Sequence, residues 1–496
     1  MRLSFLEALP LTIICAWPIA ARSADVDASH DASVERLDAR VRVSQERVTF
    51  PGNEHVGFLG STYLVDLSGG LSLGPALYGA DSGHRGGFFT FGMEAAWHRR
   101  VLGPLSVEMG LYAGGGGGSG SPQGGGLMLR PHADLLLKVA QYEVGASLAR
   151  VKFPNGRIDS TQWGLVVNTS TQFAFVPAES RNEDTLGRGA TGLGFDRIDV
   201  IASAYRGREG ATLLNGEIQP RSIATLGVRI EQQSTENAYW GLEASGAAQS
   251  GASGYAEYLA TVGWEGKPIG GLTLGTRVAL GIGGGGGIRV GGGLLAKAAA
   301  YGVVRVGHAV GISTEIGVVE APRGDFRAAT LSVGLRWALD DAGAGEQRGP
   351  PVRMEFSGGL EEFEAARNSG ASRKIVADVL TIDRFIAANV YLSGQVHSAV
   401  SGDAGGYSAA LVGIGWRQPL SPRWNLGAEG LAGPAGGGGV ASHGLIAQGT
   451  AYVGLQVTPT VAINVRAGRV ASVRGPLSSN LVQASLSASF GVSRER

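Results

Sequence analysis

The sequence predicts an all-β fold: a single large antiparallel transmembrane β-barrel of about 22–24 strands, built from three internal repeats. Two observations carry this prediction. Apolar and polar residues alternate with period two through long segments of the chain. The same series of segments then occurs three times, each time with a glycine run in the equivalent place.

The alternation is clearest in residues 481–492, LVQASLSASFGV, where apolar residues alternate with Gln, Ser or Gly. Residues 329–339 and 163–175 show the same period. A period of two places one set of side chains on each face of a strand. These segments exceed the average soluble strand of ~5–6 residues and suit a tilted bilayer crossing, which needs ~9–11.

The composition fits such a fold and excludes one class of function. Charged residues make up 17% of the chain, below the ~25% of an ordinary soluble domain. Lys plus Arg and Asp plus Glu both number 42, so the formal net charge is zero. A nucleic-acid-binding protein needs a basic face, and we therefore expect no nucleic-acid partner.

The first residues predict an exported protein. Residues 9–21 form an apolar stretch that is too short to cross a bilayer as a helix, and small residues follow it, so residues 1–23 are interpreted as a signal peptide. The single cysteine, Cys15, lies inside it. We expect a polar N-terminal arm at 24–50, the barrel at 51–492 and a C-terminal tail at 493–496.

The repeat units span about 51–176, 195–339 and 352–492, and each contains a tryptophan, a Pro-bearing turn, a strand and a glycine run. The runs occupy residues 114–118, 283–287 and 436–439. Alternation resumes on both sides of each run, so we interpret the runs as flexible or kinked hairpin connections rather than linkers. No GxxxxGK[ST] motif follows them, which argues against a phosphate-binding loop.

The closed barrel is preferred because backbone polar groups within a bilayer must all be paired, and only a helix or a closed barrel achieves this. A second architecture stays open. Three units of this length also suit a soluble, secreted array of three smaller closed units, either small barrels or β-sandwiches.

Residues 483–490, QASLSASF, resemble the C-terminal signature of bacterial outer-membrane β-barrel proteins: a polar residue, alternating apolar residues and a final aromatic. Two departures are Ser485, which stands at the usual glycine position, and residues 491–496, which follow the aromatic. The resemblance names no subfamily. It implies location in the outer membrane, with the lipid bilayer and the barrel-assembly machinery as partners. The polar arm is predicted to contact a periplasmic partner or to lie inside the barrel.

Two sets of residues are predicted to have defined places in such a barrel. Charged residues on faces rich in Gly, Ser and Thr should line the lumen, because a charge facing lipid at the midplane costs ~2–4 kcal/mol; they are Arg229, Glu243, Lys297, Arg336, Glu429 and Arg466. Aromatic residues near strand ends should lie at the membrane interface; they are Trp97, Trp264, Trp337, Trp416 and Phe490.

The sequence predicts no catalytic residue, cofactor or metal site. The eight histidines are scattered singly, without an HxxxH or HExxH pair. Asp378 and Asp383 are interpreted as solvated. The preferred function is an outer-membrane channel or export conduit, with porin-like passage of solutes or of a secreted polymer. The alternative is a non-transporting structural or surface-interaction β protein, membrane-embedded or secreted.

Overall fold

The computed structural model describes residues 34–178, 192–307, 309–339 and 351–492. The predicted signal peptide, residues 24–33 of the predicted arm and the tail at 493–496 lie outside these residues. The described residues form 24 strands in three closed antiparallel barrels of eight strands each. No helix in the described ranges has the length and apolarity needed to cross a bilayer.

The three barrels follow one another along the chain, and within each barrel every strand pairs with the next. The first barrel contains β1 (Glu35–Phe50), β2 (Glu54–Ser68), β3 (Leu71–Ser82), β4 (Phe89–Leu102), β5 (Leu105–Gly117), β6 (Met128–Val139), β7 (Tyr142–Lys152) and β8 (Asp159–Phe175). The second contains β9 (Arg197–Gly207), β10 (Ser222–Gln233), β11 (Ala238–Ala247), β12 (Ala256–Glu265), β13 (Leu272–Gly284), β14 (Leu294–Arg305), β15 (Val310–Glu320) and β16 (Arg327–Ala338). The third contains β17 (Val352–Ala366), β18 (Ser372–Phe385), β19 (Val390–Ser401), β20 (Ser408–Pro419), β21 (Trp424–Gly436), β22 (Gly444–Gln456), β23 (Val461–Ser472) and β24 (Ser478–Val492).

The prediction of one large barrel is wrong, and the alternative of three smaller closed units describes the structure. Strand β1 pairs with β8, β9 with β16, and β17 with β24, so each repeat closes on itself. Period-two alternation and hairpin turns are the same in a barrel of eight strands as in one of 24. The pairing that closes a barrel joins residues far apart in the chain, such as Glu46 with Gly164, and leaves no local signal.

The predicted polar arm at 24–50 is also corrected, because residues 35–50 form β1. This strand looks polar because its inward face carries charged side chains. Arg40, Arg42 and Glu46 are buried inside the first barrel, while Val41 and Val43 lie on the opposite face. A strand whose inner face is charged has the composition of a solvated segment.

All three barrels have apolar outer faces and largely polar inner faces. On β16, Leu331 and Leu335 point outward and are 56% and 51% exposed, whereas the neighbouring inward Ser332 is 2% exposed. On β24, Leu486 is 57% exposed and the inward Gln483 is 1% exposed. This arrangement is the reverse of a soluble barrel, whose apolar faces pack inward.

Candidate functional site: the barrel interiors and the glycine seam

The interior of the first barrel is filled by a buried network of charged side chains. Arg42 lies at its centre, with Nη2 2.8 Å from Asp134 Oδ2 and Nε 3.3 Å from Glu108 Oε1. Arg130 Nε donates to Glu46 at 2.8 Å. These charges come from strands β1, β5 and β6, so the network links β1 to strands across the barrel interior.

One group in this network has the donor atoms of a metal site. Glu94, Glu108 and His132 each place a ligand atom within 4.8 Å of the others, although their spacing in the sequence gave no sign of it. Arg42 already contacts both carboxylates, at 3.8 Å and 3.3 Å. A metal ion here would have to displace a guanidinium, so the group is best explained as part of the ion-pair network.

The second barrel contains four of the six residues predicted to line the lumen. Glu243 is 2.6 Å from Arg229 and 2.6 Å from Lys297. Arg336 forms a two-armed pair with Asp199, at 2.9 Å and 3.0 Å, and donates to Glu265 at 2.7 Å. All four predicted residues therefore face inward, and each is held by a carboxylate or an amine of the same interior.

The third barrel contains the other two predicted residues, and its interior is less completely paired. Arg417 forms a two-armed pair with Glu355, at 2.6 Å and 2.8 Å. Glu429 accepts hydrogen bonds from Gln395 at 2.7 Å and from Tyr391 at 3.1 Å. Arg466 donates through Nη1 to Ser485 at 3.0 Å.

The predicted lumen residues thus point inward, but they do not line an open pore. All six are at most 8% exposed, so their side chains are packed against other groups of the barrel interiors. An eight-stranded barrel is just wide enough for its own side chains to fill it. Apolar clusters close the interiors further at one end; in the first barrel Phe50, Phe58 and Phe88 belong to this cluster.

The two ends of the barrels differ. In the first barrel the connections 69–70, 103–104 and 140–141 are two residues long; we call this the short-turn end. The opposite end carries the connections 51–53, 83–88, 118–127 and 153–158. It also carries the glycine runs, and we call it the glycine end.

At the glycine end the barrels touch through glycine on glycine, a set of contacts that we call the glycine seam. A Cβ added to Gly87 of the first barrel would lie 2.6 Å from Cα of Gly285 in the second. The other two junctions are equally close. A Cβ added to Gly436 would lie 2.7 Å from Cα of Gly254, and a Cβ added to Gly406 would lie 2.9 Å from Cα of Gly118. Real Cβ atoms do not approach so closely, so each junction requires glycine.

Backbone hydrogen bonds reinforce two of these junctions. Gly86 N–H donates to Gly291 O at 3.0 Å between the first and second barrels. Gly406 N–H donates to Gly116 O at 2.8 Å between the third and first barrels. The sequence predicted only that the glycine runs form flexible or kinked hairpin connections. In the structure they also let neighbouring barrels approach at backbone distance.

The seam joins the barrels in a ring. The β3–β4 connection of the first barrel meets the glycine run of the second barrel. The β11–β12 connection of the second barrel meets the glycine run of the third barrel, and the β19–β20 connection of the third barrel meets the glycine run of the first. Each barrel thus offers one surface to one neighbour and a different surface to the other. Such head-to-tail contacts close into a ring when the rotation between units permits it.

The predicted interface aromatics lie at the opposite end from the seam. Trp97, Trp264, Trp337, Trp416 and Phe490 all stand near the ends of strands that run from the glycine end to the short-turn end. Trp264 and Trp416 are 54% and 43% exposed. The ring of Phe490 packs edge-on against Phe173 of the first barrel at 5.2 Å, so one of the five lies at a contact between barrels.

Sequence reasoning missed two carboxyl groups that are shielded from solvent, one on a fully buried residue and one on a half-buried residue. Asp383 is fully buried inside the third barrel. Asp378 lies on the outer face of β18, where a Cβ added to Gly115 of the first barrel would be 2.5 Å from its Oδ1. Both were interpreted as solvated. Asp378 interrupts the apolar outer face of β18 at the point where a neighbouring barrel covers it, and that break in the pattern is the signal that identifies such a position.

Comparisons with known proteins found likenesses only among solved structures. No family model matches the sequence, and no curated protein matches it. Among solved structures, the chain is similar to the FrpB iron transporter from Neisseria meningitidis, with 8% identity over 92% of this chain and 81% of that one, at a TM-score of 0.28.

It is also similar to the siderophore receptor PirA from Acinetobacter baumannii, with 10% identity over 92% and 80% of the two chains and a TM-score of 0.28. A third similar structure is OccK2 (OpdF) from Pseudomonas aeruginosa in complex with glucuronate, with 11% identity over 92% of this chain and 98% of that one, at a TM-score of 0.21. By their names, the first of these neighbours is an iron transporter and the second a siderophore receptor, and the third was solved with glucuronate. At these TM-scores they carry no argument about a site or a cargo.

Proposed function

We propose that this chain is an integral protein of a bacterial outer membrane, in which three filled barrels form a structural assembly that does not conduct solutes. One observation carries the proposal: the outer faces are apolar and exposed, while the charged residues lie inside and are buried. Hydrocarbon around the barrels accounts for this inversion, because lipid favours an apolar outer band and closed strands.

The proposal also orients the protein and names its partners. Outer-membrane barrels have short periplasmic turns and longer external loops, so the short-turn end with its tryptophans faces the periplasm and the glycine seam faces outward. The lipid bilayer is the immediate partner. The barrel-assembly machinery is the partner for insertion, since each barrel closes only when its first and last strands pair.

The alternative is porin-like passage, the first function that the sequence suggested. Passage through a barrel requires its buried ion pairs to separate, and three narrow interiors replace the one wide lumen on which that prediction rested. We therefore expect purified protein in planar bilayers to give no defined conductance steps. Regular steps above the leak of protein-free membranes would contradict the structural role and favour a gated channel.

A substitution on the outer face tests the membrane location separately. Val333 on β16 points outward and is 52% exposed. In a bilayer, Val333→Arg should cost about 2–4 kcal/mol if residue 333 lies near the midplane. In water, a surface substitution of this kind stays within about 0.5 kcal/mol. Urea unfolding of protein folded into lipid vesicles measures the difference.

Leu102→Arg is the matched control, because Leu102 is 76% exposed at the edge of the short-turn end. A charge near the interface costs only about 0–1 kcal/mol. If Val333→Arg is as harmless as Leu102→Arg, and carbonate washing releases the protein from membranes, lipid does not surround the barrels.

A further inference from the structure

A cleft lies between the first and third barrels at the glycine end, next to the glycine seam. The two barrels meet beside it, where a Cβ added to Gly125 would lie 2.8 Å from Cα of Ser401. The cleft has a volume of about 320 Å³, a size found in sites for small ligands. Two residues of the first barrel and four of the third line it: Gly125, Asn155, Arg373, Lys374, Gly402 and Asp403.

Basic side chains outnumber acidic ones at this cleft. Arg373 and Lys374 are consecutive residues near the start of β18, and Asp403 is the one acidic residue among the six that line the cleft. Arg367, in the turn before β18, donates through Nη2 to the main-chain oxygen of Asp403 at 2.9 Å. Three cations therefore lie around one lining carboxylate.

The excess of positive charge affects Arg367. Burial and the neighbouring Arg373 guanidinium lower the pKa of Arg367, and the Asp403 carboxylate offsets them only in part. Nη1 of Arg367 is shielded from solvent and has no hydrogen-bond partner among the described residues. A cation whose charged form is disfavoured in this way is stabilised when an anion binds nearby.

The two lining cations keep donors free for a ligand. Arg373 pairs with Asp403 through Nη1, and Lys374 pairs with Glu362 at 2.7 Å. A guanidinium has five N–H donors and an ammonium has three, so both cations retain donors beyond these contacts. All four side chains are about half exposed or more, and exposed ion pairs contribute little because water and salt screen them. An anion with more charge than a carboxylate can therefore join or replace these partners.

The fold does not require cations at these two positions. In the first barrel, the main-chain oxygen of His55 faces the glycine that opens the β3–β4 connection, just as that of Lys374 faces the glycine that opens the β19–β20 connection. His55 therefore occupies the place of Lys374, and Glu54 occupies the place of Arg373. The same hairpin forms in the first barrel with the opposite charge at one position, so the barrel architecture does not account for the two cations.

The chemistry of the cleft favours a phosphate group as its ligand. A metal cation would meet three positive charges and one lining carboxylate. A phosphomonoester carries about 1.5–2 negative charges at neutral pH and has several acceptor oxygens, and a guanidinium binds phosphate through two parallel hydrogen bonds. We propose that this cleft binds a phosphate group between the first and third barrels, held by Arg373, Lys374 and the side-chain amide of Asn155.

The phosphate has two sources with the same chemistry: the headgroup of a lipid and a phosphate in solution. The lipid source rests on the proposed membrane location, in which the glycine end faces outward and a headgroup reaches the cleft from the outer leaflet. The solution source does not depend on that location, because the lining residues and their charges are the same in either case.

Native mass spectrometry of the protein in non-ionic detergent tests the site with phosphatidic acid, whose headgroup is a phosphomonoester. We expect one retained lipid per chain. Arg373→Gln/Lys374→Gln should weaken its binding about tenfold, because charge-assisted hydrogen bonds to the phosphate are lost. The matched control is Arg150→Gln/Arg327→Gln, which removes two exposed cations of the glycine end that also pair with exposed carboxylates. The control should bind the lipid as the natural protein does, and equal binding by the two double variants would overturn the proposal.

Calorimetric titration with inorganic phosphate separates the two sources. Binding of inorganic phosphate that Arg373→Gln/Lys374→Gln loses identifies a site for phosphate in solution. Binding of phosphatidic acid alone identifies a lipid headgroup. Binding of neither, or equally strong binding of acetate, would overturn the proposal. If carbonate washing releases the protein from membranes, the membrane location fails, and the titration with inorganic phosphate still decides whether the cleft binds phosphate.

Discussion

Gly87→Val should break the junction between the first and second barrels and lower the free energy of unfolding by about 2–5 kcal/mol. Two effects add. Gly87 has φ +91°, a conformation that costs a side chain about 1–2 kcal/mol. Its added Cβ would also press on backbone atoms of Gly284 and Gly285, and overpacking of this kind costs about 1–3 kcal/mol.

Gly52→Val is the matched control for the glycine seam. Gly52 lies at the same end of the same barrel and has φ +81°, but no atom lies within 4 Å of an added Cβ. It should therefore cost only the conformational strain of about 1–2 kcal/mol. Urea unfolding of both variants measures the difference. If they lose equal stability, the glycine seam contributes nothing to the stability of the assembly.

Arg336→Met should destabilise the second barrel by about 3–5 kcal/mol. The substitution removes the partner that Asp199 holds with both oxygens and that Glu265 holds with one. Breaking a buried ion pair leaves an uncompensated charge in a region of low dielectric constant, and such losses reach this size. The shift of the urea unfolding midpoint measures the loss.

The control for Arg336 is an ion pair of the same geometry at the surface. Arg150 and Asp159 form a two-armed pair, at 2.7 Å for both bonds, and both side chains are about half exposed. Exposed pairs contribute little because water and salt screen them, so Arg150→Met should leave the unfolding midpoint unchanged. Equal effects of the two substitutions would show that the second barrel's interior is hydrated rather than closed by its ion pairs.

Much of the candidate site could be predicted from the sequence, because the period-two alternation shows which face of a strand each side chain occupies. The alternation of Leu331 with Ser332, and of Leu486 with Gln483, separates outer and inner faces without any knowledge of closure. The same rule placed Arg229, Glu243 and Arg336 on the inner side. It failed on β1, where inward charges gave the segment the composition of a solvated arm.

The pairing of charges was not visible, because it depends on which strands lie across a barrel from one another. Arg42 and Asp134 are separated by 92 residues, and Arg336 and Asp199 by 137. The same applies to the glycine seam. The three runs were found in equivalent positions, yet nothing in a single chain segment shows that Gly87 meets Gly285.

By itself, the sequence determined the antiparallel strands, the apolar and polar faces of the segments with regular alternation, the threefold repeat and the places of the glycine runs. Each of these follows from local chemistry: alternation, turn residues and hairpin pairing between neighbours. The tertiary structure alone decided that β8 returns to β1 and that the chain forms three narrow filled barrels rather than one wide pore. Barrel closure is a contact between distant strands, and every local pattern is satisfied equally well by either solution.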